Sequence, residues 1–230
     1  MKTIGLIGGM SWESTESYYR LINEGIKEQL GGLHSAKLVL VSVDFAEIES
    51  LQHQGLWDET AKILSKAARQ LESAGANFIL ICTNTMHLVA PQIQENISIP
   101  LLHIADATAD EIVKSGIKKI GLLGTAFTME EDFYKGRLKS MYKLDVVIPE
   151  SDDRKIVHQI IYDELCLGKV KTTSREKYLK IIDGLVEQGA EGIILGCTEI
   201  ALLVEQKYTE IRLFDTTKIH ALKAVEEAIR

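Results

Sequence analysis

Continuous apolar runs alternate along the chain with longer stretches in which apolar residues recur at helical spacing. The runs at 4–7, 38–43, 78–82, 101–104, 120–123, 146–148, 192–195 and 212–214 are predicted as strands. They read as near-unbroken Val, Ile and Leu, the pattern of strands buried on both faces. The amphipathic stretches 14–29, 58–73, 86–95, 107–114, 129–139, 154–165, 174–188, 198–204 and 218–229 are predicted as helices. This alternation specifies an α/β fold of mostly parallel sheet with right-handed crossovers. The only prolines are Pro91, Pro100 and Pro149, and no Ser/Gly linker or low-complexity tract interrupts the series.

The pattern repeats itself. Thr3-Ile4-Gly5-Leu6-Ile7-Gly8 returns as Lys119-Ile120-Gly121-Leu122-Leu123-Gly124. Gly75-Ala76-Asn77-Phe78-Ile79-Leu80-Ile81 returns as Gly189-Ala190-Glu191-Gly192-Ile193-Ile194-Leu195. The offsets, Ile4 to Ile120 and Gly75 to Gly189, are 116 and 114 residues, so the halves run nearly in register. Carried forward without gaps, the second repeat sets Thr83 opposite Cys197. Duplication predicts two lobes of similar size. Leu101 to Ile104 leads into Asp106-Ala107-Thr108, as Leu213-Phe214 leads into Asp215-Thr216-Thr217. Read as equivalent crossings, these give a first lobe of 1–104 plus 213–230 and a second of 105–212. Two related lobes facing each other set one small proton-bearing side chain on each side of a cleft. That arrangement suits removal of a proton from one face of a molecule and delivery to the other.

Composition narrows the chemistry. The formal net charge is −7, with no Lys/Arg block, which argues against a nucleic-acid surface. Three cysteines, Cys82, Cys166 and Cys197, with no C-x-x-C pair make a disulfide scaffold or a metal site a poor reading. The first apolar run breaks at Gly8-Gly9, too short for a signal peptide or a membrane span. A cytoplasmic protein with free thiols is the expectation.

In open α/β sheets ligands bind beyond the carboxyl ends of the strands. Five segments are predicted there: Gly8-Gly9-Met10-Ser11, the stretch around Gln52, Thr83-Asn84-Thr85, Gly124-Thr125 and Gly196-Cys197-Thr198-Glu199. Hydroxyl side chains such as Ser11, Thr85 and Thr198 at helix starts are caps first. The same helix starts also present N–H groups that favour a carboxylate. Cys197, between glycine and threonine at a strand-to-helix turn, is placed for reactivity, with a helix dipole expected to lower its pKa. Cys82 is the rival to Thr83, since successive strand residues point to opposite faces. Cys166 reads as core, and His87, one helical turn beyond Thr83, is within reach of it. Gly5-Leu6-Ile7-Gly8-Gly9 matches neither nucleotide-loop pattern.

Asn84-Thr85-Met86-His87 and Gly196-Cys197-Thr198-Glu199 resemble the two signature loops of the aspartate/glutamate racemase superfamily, which also holds hydantoin racemases and arylmalonate decarboxylase. Gly8-Gly9-Met10-Ser11-Trp12-Glu13-Ser14-Thr15 resembles its aspartate racemase branch. The resemblance covers the whole chain. It implies two pseudo-symmetric Rossmann-like lobes, no pyridoxal phosphate or other cofactor, no metal, and a homodimer. The family's first-loop cysteine matches Thr83, not Cys82, so one of two catalytic thiols has become a hydroxyl. This is similar to the bacterial L-aspartate/glutamate-specific racemases that carry a Thr/Cys pair. The arginine that follows the second strand in similar aspartate racemases has no counterpart, because no Lys or Arg occurs from Leu38 to Ala61. The lysine of the second lobe matches Cys166.

The resemblance thus implies an isomerase that interconverts L- and D-aspartate, glutamate or related small amino acids. Thr83 and Cys197 would be the proton-transfer pair, with Met10, Ser11, Gln52, Asn84, Thr85 and Thr198 binding substrate. A decarboxylase or other carbanion enzyme on the same scaffold, and a non-catalytic amino-acid-binding protein, are the alternatives.

Overall fold

The computed structural model describes residues 1–230. In chain order its elements are β1 (Ile4–Gly8), α1 (Trp12–Leu30), β2 (Leu38–Ser42), α2 (Phe45–His53), α3 (Trp57–Ser73) and β3 (Phe78–Ile81). A 3-10 turn (Thr85–Val89), α4 (Ala90–Gln94), α5 (Ile104–Lys114), β4 (Lys119–Gly124), α6 (Ala126–Glu130), α7 (Asp132–Tyr142) and β5 (Asp145–Val147) follow. The chain ends with α8 (Ser151–Asp163), a 3-10 turn (Leu165–Leu167), α9 (Thr172–Glu187), β6 (Gly192–Gly196), α10 (Ile200–Leu203), a 3-10 turn (Gln206–Tyr208), β7 (Arg212–Asp215) and α11 (Thr216–Ile229).

Two compact units result: Met1–Ile104 with His220–Arg230, and Ala105–Ile219. The first holds a parallel sheet of order β2-β1-β3, the second a parallel sheet of order β5-β4-β6-β7. The duplication is visible in the register. Gly5 pairs with Ile79 in the first sheet, and Gly121 with Ile193 in the second. Each partner of the second pair is offset from its counterpart by the sequence-repeat shift. The repeat extends further, since Ile79 bridges Leu101 as Ile193 pairs with Leu213.

Alternation along β3 distributes its side chains to two layers. Ile79 and Ile81 join Ile7, Leu64 and Leu71 beneath α3. Phe78, Leu80 and Cys82 join Ile4, Leu6, Tyr18, Ile22 and Val225 beneath α1 and α11. Both faces of the sheet are thereby covered by helices, which is why its strands lack a polar face.

Four predicted elements differ from the structure. Residues 101–104 form one bridge rather than a strand, because hydrogen bonding to β3 is confined to Ile79, and Ile104 already opens α5. The stretch 86–95 divides into a 3-10 turn and α4, with Pro91 in the first turn of α4, where a missing N–H costs nothing. The stretch 129–139 divides at Glu131, whose extended backbone separates α6 from α7. Residues 198–204 give only the four-residue α10, after a turn. α2 is an addition: Asp44 caps it by accepting from the Ala46 N–H, and Ile48 and Gln52, one turn apart, are its buried face. Residues 213–219, expected with the first lobe, belong to the second unit, where β7 pairs along β6. No helix is long and apolar enough to cross a membrane.

Candidate active site

In the first unit the carboxyl end of β1 turns sharply at Gly9, whose φ is +92°. A Cβ there would lie 2.2 Å from the Val43 carbonyl oxygen, so only glycine lets the β1 loop lie against the end of β2. The Gly9 N–H donates to Thr15 Oγ1 at 2.8 Å, and that hydroxyl donates to the Ser11 carbonyl at 2.9 Å. Ser11 Oγ accepts from the Ser14 N–H at 3.3 Å and caps α1. Its capping reading is therefore the observed one. The Met10–Ser11 peptide is cis. Met10 sends its side chain into the core, so what the loop offers to a ligand is backbone. Gln52 is buried on α2, its Nε2 3.6 Å from Met86 Sδ.

Cys82 and Thr83 follow the end of β3 at Ile81 and differ in burial. Cys82 is fully buried under α1 and α11, and burial pushes its thiol far above the ordinary thiol range. Its carbonyl accepts from Ser14 Oγ at 3.0 Å, which ties α1 to the strand end. Thr83 is half-buried, and Asn84 and Thr85 behind it are buried. His87 reaches back to the Thr83 carbonyl oxygen at 2.8 Å through Nδ1. The contact foreseen between His87 and Thr83 thus exists, but to the backbone of Thr83.

In the second unit β4 and β6 run so close at their ends that a Cβ on Gly196 would lie 2.7 Å from the Leu123 carbonyl oxygen. Thr125 caps α6, accepting from the Thr128 N–H at 3.3 Å. Cys197 follows β6 directly and keeps 8% of its surface exposed. Its Sγ donates to Glu199 Oε2 at 3.0 Å, and Thr198 Oγ1 donates to the same oxygen at 2.7 Å. Burial first, then the charges of Glu199 and Cys166, push the Cys197 thiol well up. The expected lowering by a helix dipole does not occur. α10 begins three residues later and is one turn long, so it has little dipole to offer, while a carboxylate sits against the sulfur. Cys166, expected in the core, is half-exposed on the turn after α8. No cluster of three or more His, Cys, Asp or Glu side chains is arranged to hold a metal.

Each unit thus ends its equivalent strand in a loop of polar and proton-bearing side chains, and the whole chain can be compared on that basis. The Asp/Glu/hydantoin racemase family profile matches residues 7–224. The chain belongs to this family. Amino-acid racemization is the activity that membership carries. Among solved structures, a Yersinia pestis protein named as a candidate Asp/Glu racemase is 56% identical, with a TM-score of 0.93 and 100% of both chains covered. An aspartate racemase homologue from Pyrococcus horikoshii is 38% identical, with a TM-score of 0.87 and again 100% of both chains covered. The broad-specificity amino-acid racemase of Bacillus subtilis is 23% identical over 96% of each chain.

Sequence reasoning about this racemase missed Glu199 as a partner of the thiol. The signal was present in the quartet Gly196-Cys197-Thr198-Glu199. An acidic residue two positions after a thiol, in a turn rather than a helix, can fold back onto it.

Proposed function

We propose that this racemase interconverts the enantiomers of aspartate, glutamate and related small amino acids by two-sided proton transfer, without pyridoxal phosphate. The observation that carries the proposal is the hydrogen bond from Cys197 Sγ to Glu199 at the strand end that the duplication pairs with Thr83. A protonated thiol cannot take an α-proton. Glu199 supplies the missing step by accepting the thiol proton as the substrate enters, leaving a thiolate. The thiolate then takes the α-proton and becomes S–H again, and the electron pair remains on the α-carbon. Thr83 delivers its hydroxyl proton to the opposite face and regains one from water, while Glu199 releases its proton to solvent. Backbone N–H groups at Met10 and Ser11, with Asn84, Thr85 and Thr198, hold the α-carboxylate and ammonium. Gln52 lies toward the substrate side chain.

The absence of Lys and Arg from Leu38 to Ala61 supports a broad substrate range over tight selection of a dicarboxylate. The naming of the Bacillus subtilis relative as broad in specificity agrees with this reading. Three free thiols suit a reducing cytoplasm, and the family resemblance supports a homodimer.

The test is a panel of L- and D-amino acids followed by proton NMR and chiral analysis in D2O. Loss of the α-proton signal together with growth of the opposite enantiomer is the expected outcome. Carbon dioxide release, or binding with neither change, would overturn the proposal.

A further inference from the structure

The first unit contains a cluster of three histidines that the proton-transfer scheme does not use. His87 and His103 have ring centroids 4.5 Å apart, and His87 and His220 5.9 Å apart. His87 is 1% exposed and His220 is fully buried. The backbone around them decides which nitrogen carries each hydrogen. The Ile104 N–H donates to His87 Nε2 at 3.2 Å, and an N–H can only donate, so Nε2 presents its lone pair there. His87 Nδ1 therefore bears the hydrogen and donates to the Thr83 carbonyl at 2.8 Å. For His220 the order is reversed. Nε2 donates to the Leu102 carbonyl at 2.8 Å, and Nδ1 lies 2.8 Å from Tyr18 Oη.

His87 is thus fixed in one neutral tautomer by two backbone groups that cannot exchange roles. The consequence for His87 is specific. One end satisfies the first N–H of α5, which has no partner within its own helix. The other end grips the peptide whose rotation sets where the Thr83 hydroxyl points. The turn that follows Thr83 is a short 3-10 segment with no side-chain cap at its start, so local helix bonding gives the Thr83 peptide little support of its own.

We propose that His87 is a positioning residue for Thr83, holding its peptide plane so that the hydroxyl meets the substrate carbanion. The proposal rests on the two-sided proton transfer described above. Two substitutions separate the two ends of the imidazole. In His87→Asn the side-chain amide falls near Nδ1 and can still donate to Thr83, but nothing reaches Ile104. In His87→Gln the amide falls near Nε2 and can still accept from Ile104, but the hold on Thr83 is lost.

The readout is the ratio of two rates in D2O: racemization, and deuterium incorporation into recovered substrate of unchanged configuration. The second needs only the Cys197 side, where the proton leaves and a deuteron returns to the same face. Displacing a reacting group by an ångström costs on the order of 10²-fold. His87→Gln should therefore lower racemization at least about tenfold while exchange with retention changes less than about twofold. His87→Asn should keep the wild-type ratio. A parallel fall of both rates in His87→Gln, an unchanged ratio, or an equal change of ratio in His87→Asn would overturn the role of His87. Absence of exchange in the wild type would overturn the proton-transfer reading itself, a different result from any of these.

Discussion

At the end of β3 the protein grips a carbonyl, and at the end of β6 it grips a thiol. The two loops follow strands that the sequence repeat makes equivalent and that share a register, Gly5 with Ile79 and Gly121 with Ile193. On the Thr83 side the hydrogen bond from His87 goes to the backbone, and the buried cysteine next door faces the wrong layer. On the Cys197 side the bond goes to the side chain itself, and its partner is a carboxylate. The difference follows from acidity. A threonine hydroxyl scarcely ionises near neutrality, so what the protein can control is where it points. A thiol of ordinary pKa about 8.5 can be made to ionise, and the group set against this one is able to hold a proton.

The most severe way to break this comparison is Cys197→Ser. Serine keeps the hydrogen bond to Glu199 but is far too weak an acid to become the anion. General base catalysis is worth about 10²- to 10⁴-fold, so α-proton exchange and racemization should both fall by about 10³-fold. The protein should remain folded by circular dichroism. A folded Cys197→Ser protein within tenfold of wild-type exchange would show that the thiol is not the base.

Glu199→Gln comes next, and its effect depends on pH. Burial and the Glu199 charge both raise the Cys197 pKa, so below that pKa the resting thiol is protonated. With Glu199 as proton acceptor the thiolate forms on demand, and kcat/KM for the direction that starts at Cys197 changes little across neutral pH. Without it the enzyme must wait for hydroxide to ionise the thiol. The activity of Glu199→Gln should fall about 10²-fold near neutrality and recover as pH rises, because a deprotonated base is what is lacking. Loss of the neighbouring charge also lowers the thiol pKa, which assists the recovery at high pH. A flat pH profile with an unchanged rate would remove Glu199 from the mechanism.

Much of this was legible in the chain. The duplicated Gly5-Leu6-Ile7-Gly8 and Gly121-Leu122-Leu123-Gly124 runs fixed two parallel sheets, because such runs have nowhere polar to face. The same repeat set Thr83, not Cys82, opposite Cys197, and Cys82 is buried in the layer under α1 and α11. What was not legible depends on short-range geometry. The dipole argument for Cys197 assumed a helix beginning at Thr198, where a turn and the four-residue α10 stand. α2 escaped notice because its buried face rests on Ile48 and Gln52, too few positions to show a period. Of the partners of His87, Thr83 was within sequence reach, but Ile104 was not, since it lies 17 residues away and meets the ring only in the folded unit.

A smaller effect is expected from Thr83→Cys, which makes the two sides alike. A thiol serves as acid and base near neutrality, whereas threonine can donate a proton but makes a poor base in the reverse direction. Turnover from the enantiomer whose α-proton faces residue 83 should rise about three- to tenfold, below the full range of general base catalysis, because the larger sulfur sits imperfectly. The equilibrium constant between enantiomers is fixed at unity, so kcat and KM must rise together in that direction. Initial rates from each pure enantiomer measure this. Unchanged parameters in both directions would place Thr83 off the proton path.

The mildest test is Cys82→Ala, which isolates the neighbour that the proton path does not use. Cys82 is fully buried between Leu80 and the α1 and α11 layer, and its carbonyl is held by Ser14. Removing its sulfur leaves a small apolar void without disturbing that backbone bond. The cost should be about 1 kcal/mol in urea unfolding, in the range of deletions of a single buried heavy group. Racemization should stay within about twofold of wild type, since the void lies among the core residues under α1 and α11. The thiol also makes a pH statement. Its folded pKa lies far above its unfolded value, so the folded state resists ionisation that the unfolded chain accepts. Any such contribution is intact below the unfolded thiol pKa and is lost progressively as pH rises above about 8.5. Cys82→Ala should therefore lose less stability than wild type between neutral and alkaline pH, so that the two unfolding curves converge there. If Cys82→Ala instead abolished racemization while unfolding normally, the Cys82 side would be the catalytic one. The asymmetry between the two strand ends would then have to be drawn again, with a thiol on both.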